Sequence, residues 1–202
     1  MSPARDLRAS ETRERILAAL ADWMQAATHG EFTFDDIAQR AGVERRTVFR
    51  HFETKEILLE SFWLWINEHG IPSTQSRTLD ELIDGPKVVF PKFDEAEGVI
   101  RGSLHTRAGR LMRMGAVSAR REAFHNALLE VTQGATKEDQ RRLEAVAHAL
   151  YSAATWEVMR DYAGVTGDQA GDAAAWALSI LINTVRQGPG SASANKSSAT
   201  AE

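Results

Sequence analysis

Cysteine is absent from the 202 residues, which excludes disulfide scaffolds, thiolate metal sites and cysteine nucleophiles. No apolar run approaches the roughly 20 residues that span a bilayer. The first residues also lack the apolar core of a signal peptide, so a soluble, cytoplasmic chain with no membrane partner is expected. Runs of Val, Ile and Thr are scarce while Ala, Leu, Arg and Glu are plentiful, which points to an all-α protein. Catalytic signatures are missing as well. The six histidines form neither an HExxH pattern nor an i,i+4 metal pair. There is no GxSxG elbow, Walker loop or GxGxxG, and Gly164, Gly167 and Gly171 have the wrong spacing for a phosphate loop. No catalytic residue, metal or cofactor is expected. Positive charge is in short supply too: the net charge is −4, which argues against coating DNA by bulk electrostatics.

What the chain does have is the stretch Thr33 to Lys55, TFDDIAQRAGVERRTVFRHFETK. Thr33 followed by Asp36 has the form of a capping box, so a helix should start near Phe34. Ala38, Gly42 and Val48 then have the spacing of a helix-turn-helix. The small Ala admits the second helix, Gly accepts a left-handed turn, and the branched apolar residue closes a small core with Ile37, Ala41, Val43 and Phe52. The second helix should run from about Arg45 to Phe52. Its polar residues Arg45, Arg46, Thr47, Arg50 and His51 fall on the side that a recognition helix turns to the major groove. Arg45 and Arg46 lie in its first turn, nearest base edges. Arg40, Arg45, Arg46, Arg50 and Lys55 outnumber Glu44 and Glu53 here, making a small basic face on a mildly acidic chain.

This stretch resembles the DNA-binding domain of the tetracycline-repressor (TetR) family of transcriptional regulators. The resemblance rests on Thr33, Asp36-Ile37-Ala38, Ala41-Gly42-Val43, Thr47-Val48-Phe49, His51-Phe52 and Lys55. With its flanking helices it covers about the first third of the chain. It implies that Thr47, His51 and Lys55 grip the DNA backbone, with Thr33 also among the DNA-binding residues; by position on the helix, Arg45 and Arg46 read bases and Arg50 reads a base or holds phosphate. The family usually has Tyr at the position of Phe49, where its hydroxyl bonds a phosphate; Phe49 can only pack.

The rest of the chain is read around this unit. Residues 1–10, with Arg5 and Arg8 and no apolar periodicity, read as a flexible arm, either solvated or reaching a groove. Ile16, Leu20, Trp23 and Met24 mark a helix from Glu11 to about Ala27 that leaves at His29-Gly30. Residues 11–56 form the DNA-binding domain. The helix from Lys55 is apolar nearly all round, with Ile57, Leu58, Leu59, Phe62, Trp63, Leu64, Trp65 and Ile66. It should therefore be shared between this domain and a second one, 57–187. After a break at residues 70–74, a helical segment is expected to be interrupted at Gly85-Pro86 and kinked at Pro91. Another is expected from Glu95. A long helix through Leu111 and Phe124 should be continuous or kinked near Ala119, with Arg110, Arg113 and Arg120 along a solvated stripe. In the resembling family the effector lies among these helices. Candidate pocket residues are Trp63, Phe90, Phe93, His105, Met112 and Trp156, with Arg107 and Arg110 as anion partners; each is also an ordinary core or surface residue by spacing.

Thr136 should cap a helix running to about Tyr162, and Thr166 with Gln169 should open the last one. Apolar side chains surround that last helix, so it is expected to pair with the preceding helix and with the same two of a second copy in an isologous four-helix interface. Leu150, Trp156, Trp176, Ile180 and Thr184 are its candidate residues. Residues 188–202 read as a flexible, low-complexity tail. The expectation is an N-terminal helix-turn-helix domain joined by a shared helix to a helical ligand-binding and dimerisation domain. Its partners would be a double-stranded DNA operator, an unidentified small-molecule effector and a second copy of itself, and its role that of a repressor. A DNA-binding dimer without an effector and a helical sensor or interaction module are the alternatives.

Overall fold

The computed structural model describes residues 3–26, 31–69 and 76–187. The expected helix exit at His29-Gly30, the break at residues 70–74 and the tail from Gly188 lie outside them. Among the described residues there are eleven helices and no strand. None of the helices is long and apolar enough to cross a membrane. No group of His, Asp and Glu among these residues is arranged to hold a metal ion.

The helices form two compact units. The first holds α1 (Pro3–Ala26), α2 (Phe34–Ala41), α3 (Arg45–Phe52), α4 (Lys55–Glu68), α6 (Glu97–His105) and α7 (Arg107–Gly115). The second holds α5 (Leu79–Glu95), α8 (Val117–Thr132), α9 (Lys137–Leu150), α10 (Ala153–Ala163) and α11 (Gly167–Gln187). This grouping cuts across the boundary at 56–57 read from the sequence, because residues 95–117 join the N-terminal helices.

In the first unit α1 is the hub, packing on α2, α4 and α6. Ile16, Leu17, Leu20 and Met24 are wholly buried along one face. The α1–α6 crossing requires a glycine: a Cβ on Gly102 would stand 2.1 Å from the carbonyl oxygen of Met24. The expected flexible arm is instead the first turns of α1, which begins at Pro3. Proline suits a first helical position, Asp6 favours the positive end of the dipole, and Leu7, Arg8 and Ala9 are good helix formers. Propagation from an anchored helix costs no new nucleus, so these residues extend it although Asp6 to Ser10 are exposed. The cover of α4 also differs from expectation. Leu58, Leu59, Phe62 and Ile66 are buried, but Leu64 is 59% exposed. Within this unit α4 packs on α1 and α7.

In the second unit α5 runs unbroken through Pro86 and Pro91, correcting the expected interruptions. Each interior proline costs roughly 3 kcal/mol through its lost donor and steric clash. Leu82, Val89, Phe90 and Phe93 are all buried, at about 1.5–3 kcal/mol apiece, which is enough to offset both prolines. The helix expected from Thr136 to Tyr162 is two. Tyr151 ends α9, and Ser152 caps α10 by accepting from the Thr155 amide at 3.1 Å. The long helix expected around residues 104–131 is likewise divided, at Thr106 and Ala116. Asp94, near the end of α5, ties three elements together. Its carboxylate accepts from Trp156 Nε1 at 2.8 Å, Arg160 Nη1 at 3.1 Å and the Gly167 amide at 2.8 Å.

Candidate nucleic-acid interface

The first helix of the reading unit is pinned at both ends. Thr33 and Asp36 form the full capping box: the Asp36 amide donates to Thr33 Oγ1 at 3.1 Å, and the Thr33 amide donates to Asp36 Oδ2 at 2.7 Å. The Thr33 hydroxyl also donates to that carboxylate at 2.7 Å. These bonds hold the Asp36 carboxyl below its ordinary pKa. With amide and hydroxyl hydrogens both committed, Thr33 positions α2 and keeps no donor for a phosphate. At the other end Gly42 adopts φ +62°, the left-handed turn that its lack of a side chain permits. Arg15 of α1 completes the cap, with Nη2 donating to the carbonyls of Ala41 and Gly42 at 2.7 and 2.9 Å.

α3 follows after three residues, burying Val48 and Phe52 and turning its other side outward. Arg45 and Arg46 are 70% and 80% exposed. Arg45 stands 3.7 Å from Asp35, and Arg46 pairs with Glu44 at 2.6 Å. Such exposed pairs contribute little and exchange readily for another anion. Arg50 is exposed; Thr47 and His51 are half-buried. Burial, with Arg50 and Arg13 nearby, holds His51 below its ordinary pKa, so near neutral pH it offers a hydrogen bond and no charge. Phe49 is 58% exposed and meets Phe34 edge-on at 6.4 Å, a packing contact as its chemistry requires. A tight turn through Glu53, held at φ +34°, leads into α4. Thr54 caps that helix by accepting from the Ile57 amide at 3.2 Å.

The matching segment is residues 16–62, which fit the family model for bacterial regulatory proteins of the tetR family. That segment matches the DNA-binding region of TetR-family regulators. The match supports a DNA-binding transcriptional regulator. No curated protein matches the chain in sequence. The solved structure of NalD, the secondary repressor of the MexAB-OprM multidrug efflux pump in Pseudomonas aeruginosa, is similar in fold. The TM-score is 0.58 at 18% identity, over 86% of this chain and 96% of that one.

Lys55, a backbone-gripping position in the TetR resemblance, does not stand alone. Its Nζ lies 3.8 Å from Glu31 Oε2 and 5.1 Å from the centre of the Phe32 ring. Glu31 also accepts from Arg107 Nη1 of α7 at 2.7 Å. Arg107 first, then Lys55, hold the Glu31 carboxyl below its ordinary pKa, so it is charged at neutral pH. Glu31 is therefore a charged neighbour of Lys55. Glu31→Gln is expected to raise operator affinity about two- to fivefold and to steepen the salt dependence by up to about one counterion. Binding isotherms at several salt concentrations measure both; weaker binding by this variant would show that the carboxylate assists Lys55.

The remaining predicted site residues fall into separate groups. Phe90, Phe93 and Trp156 are fully packed in the second unit, with ring centres 5.8 and 5.7 Å apart in sequence. Trp63, His105, Arg107 and Met112 belong to the first unit. There Met112 is buried, Trp63 is half-buried, and His105 and Arg107 are exposed. Of the dimer candidates, Trp156 is corrected: it is 0% exposed within its own chain and has no surface to offer a partner. Trp176 and Ile180 are 68% and 45% exposed, Thr184 is exposed, and Leu150 is half-buried. Sequence reasoning missed Arg15, Asp36 as a donor trap for Thr33, and the Glu31–Arg107 pair. Only Asp36 carried a local signal; the other contacts span 26 residues or more.

Proposed function

We propose that this protein is a TetR-family regulator, a homodimeric repressor that reads a near-palindromic operator and is released by a small-molecule effector. The observation that carries the DNA-reading part is the outward face of α3, where two exposed arginines stand in the first turn of a capped helix-turn-helix. Arg45 and Arg46 read base edges, a guanidinium bidentate to guanine contributing about 1–3 kcal/mol of discrimination. Arg50 reads a base or holds phosphate, and Thr47, His51 and Lys55 grip the backbone. The Lys55 charge adds to the amide dipoles at the start of α4.

Pairing is supported by the apolar surface left on α10 and α11. Val158 and Tyr162 are 54% and 88% exposed, matching the exposure of Trp176 and Ile180. Such residues in register on neighbouring helices suit an isologous four-helix contact. Release by an effector follows if ligand binding and DNA binding favour different placements of the reading helices. NalD, of the same fold, is a repressor by its description. The protein acts in the cytoplasm, where the operator is.

Footprinting of the purified chain on the DNA around its own gene tests the reading. Two protected half-sites centred about one helical turn, roughly 34–36 Å, or a multiple apart are expected. Binding that leaves no footprint and is equal on unrelated DNA overturns it.

A further inference from the structure

Lys55 and Arg107 are the first residues of two different helices, α4 and α7. The amide dipoles disfavour a cation at that end of a helix, so each gains from an anion set beside it. α4 carries Glu56 in its first turn, whereas α7 has no acidic residue there. Glu31, which belongs to neither helix, serves both cations, and it serves them unequally. Arg107 Nη1 donates to Glu31 Oε1 at 2.7 Å, a full hydrogen bond. Lys55 Nζ lies 3.8 Å from Glu31 Oε2, an ion pair without one.

The surroundings fix both cations where they compete for that carboxylate. The corner before α7 is tightly held. Thr106 is buried; its hydroxyl accepts from the Gly109 amide at 3.1 Å and donates to the Gly102 carbonyl at 2.7 Å. A Cβ on Gly109 would stand 2.1 Å from the Ser103 carbonyl oxygen, so α7 starts hard against α6. Lys55 is steadied by the buried Phe32 ring, whose centre is 5.1 Å from its ammonium. A cleft of about 100 Å³, lined by these three charged residues with Phe32 and Leu59, leaves Glu31 room to turn from one cation to the other. All of these residues lie in the first unit.

We propose that Arg107 is a positioning residue for the Lys55 phosphate grip: by holding Glu31 from the start of α7, it keeps that carboxylate from closing on the Lys55 ammonium. Without Arg107, Glu31 pairs with Lys55, and a DNA phosphate must displace it. The proposal rests on the reading of Lys55 as a contact to the DNA backbone. Exposure sets its size. The side chains of Arg107, Glu31 and Lys55 are 72%, 50% and 41% exposed, so the competing pair is a surface pair and its effect severalfold.

Operator binding by the full chain, read by fluorescence anisotropy across a double-mutant cycle, tests this. Arg107→Gln should weaken binding about three- to tenfold in the dimer and make the salt dependence shallower by up to about one counterion per chain. In the Glu31→Gln background the same substitution should change affinity by less than about twofold. The double variant should thus bind like Glu31→Gln alone, above wild type, whereas simple charge balance would return it to the wild-type value. Arg107→Lys, which keeps a cation beside Glu31, should retain most of the wild-type affinity. Arg110→Gln, removing the same charge from an exposed position on α7, should act equally in both backgrounds. No loss on Arg107→Gln overturns the proposal. So does a loss that persists in the Glu31→Gln background, which would make Arg107 a direct DNA contact or a remote charge. Lys55→Gln separates the proposal from the reading beneath it. It should weaken binding severalfold and leave Arg107→Gln without further effect. Wild-type affinity in Lys55→Gln would remove Lys55 from the interface and sink both; a weakened Lys55→Gln in which Arg107→Gln still acts would sink the proposal alone.

Discussion

Replacing Arg45 and Arg46 together by Ala should lower operator affinity by about a thousandfold or more. Each arginine contributes about 1–3 kcal/mol if it reads a guanine, and a dimer loses four such contacts at once. Taking the lower bound for each gives about 4 kcal/mol, or three powers of ten. The fold should not notice. Both side chains are exposed, and their pairs with Asp35 and Glu44 lie at the surface, so stability should change by no more than roughly 0.5 kcal/mol, as for ordinary surface changes. Fluorescence anisotropy with an operator fragment measures the loss. Arg110→Ala, exposed on α7, is the control for a mere change of net charge. Unchanged affinity in the double variant would remove α3 from the interface.

The second large effect concerns pairing. Trp176→Glu with Ile180→Glu places two charges per chain at the middle of the exposed stripe on α11. In an isologous interface the same patch of both copies meets, so four carboxylates are buried together. Sedimentation should show a monomer at micromolar concentration where the wild type is a dimer. Operator affinity should fall by about a thousandfold or more, because one reading helix then binds without the avidity of the second. Circular dichroism should be unaltered, since Trp176 is 68% exposed and Ile180 45% exposed in the single chain. A variant that remains dimeric would move the partner surface elsewhere.

The reading unit was legible because its signals are local. A capping box spans four residues, and Gly42 serves a turn made by its immediate neighbours. Both helices appear with the bounds the pattern predicted, α2 from Phe34 and α3 from Arg45 to Phe52. The caps at Thr136 and Thr166 were readable for the same reason. Pro86 and Pro91 were misleading because local propensity was outweighed by burial of the helix that contains them. The end of α9 at Tyr151 was hidden likewise. The local pattern continues helically, while Tyr151 bonds Ser76, 75 residues away in sequence.

The candidate site divides along the same line. That Arg45 and Arg46 face outward follows from the 3.6-residue period and the burial of Val48 and Phe52. That Lys55 shares a carboxylate with Arg107 does not, since Glu31 and Arg107 are 76 residues apart. Nor does spacing separate Arg110, which is exposed, from Arg120, which is not. By itself the sequence determined the helical class and the helix-turn-helix with its basic face, because those depend on hydrogen bonds and periodicities within a few residues. Tertiary structure alone decided which helices share a core, which tryptophan retains a surface and which arginine is half-buried. Those outcomes depend on burial, and burial is set by segments far apart in the chain.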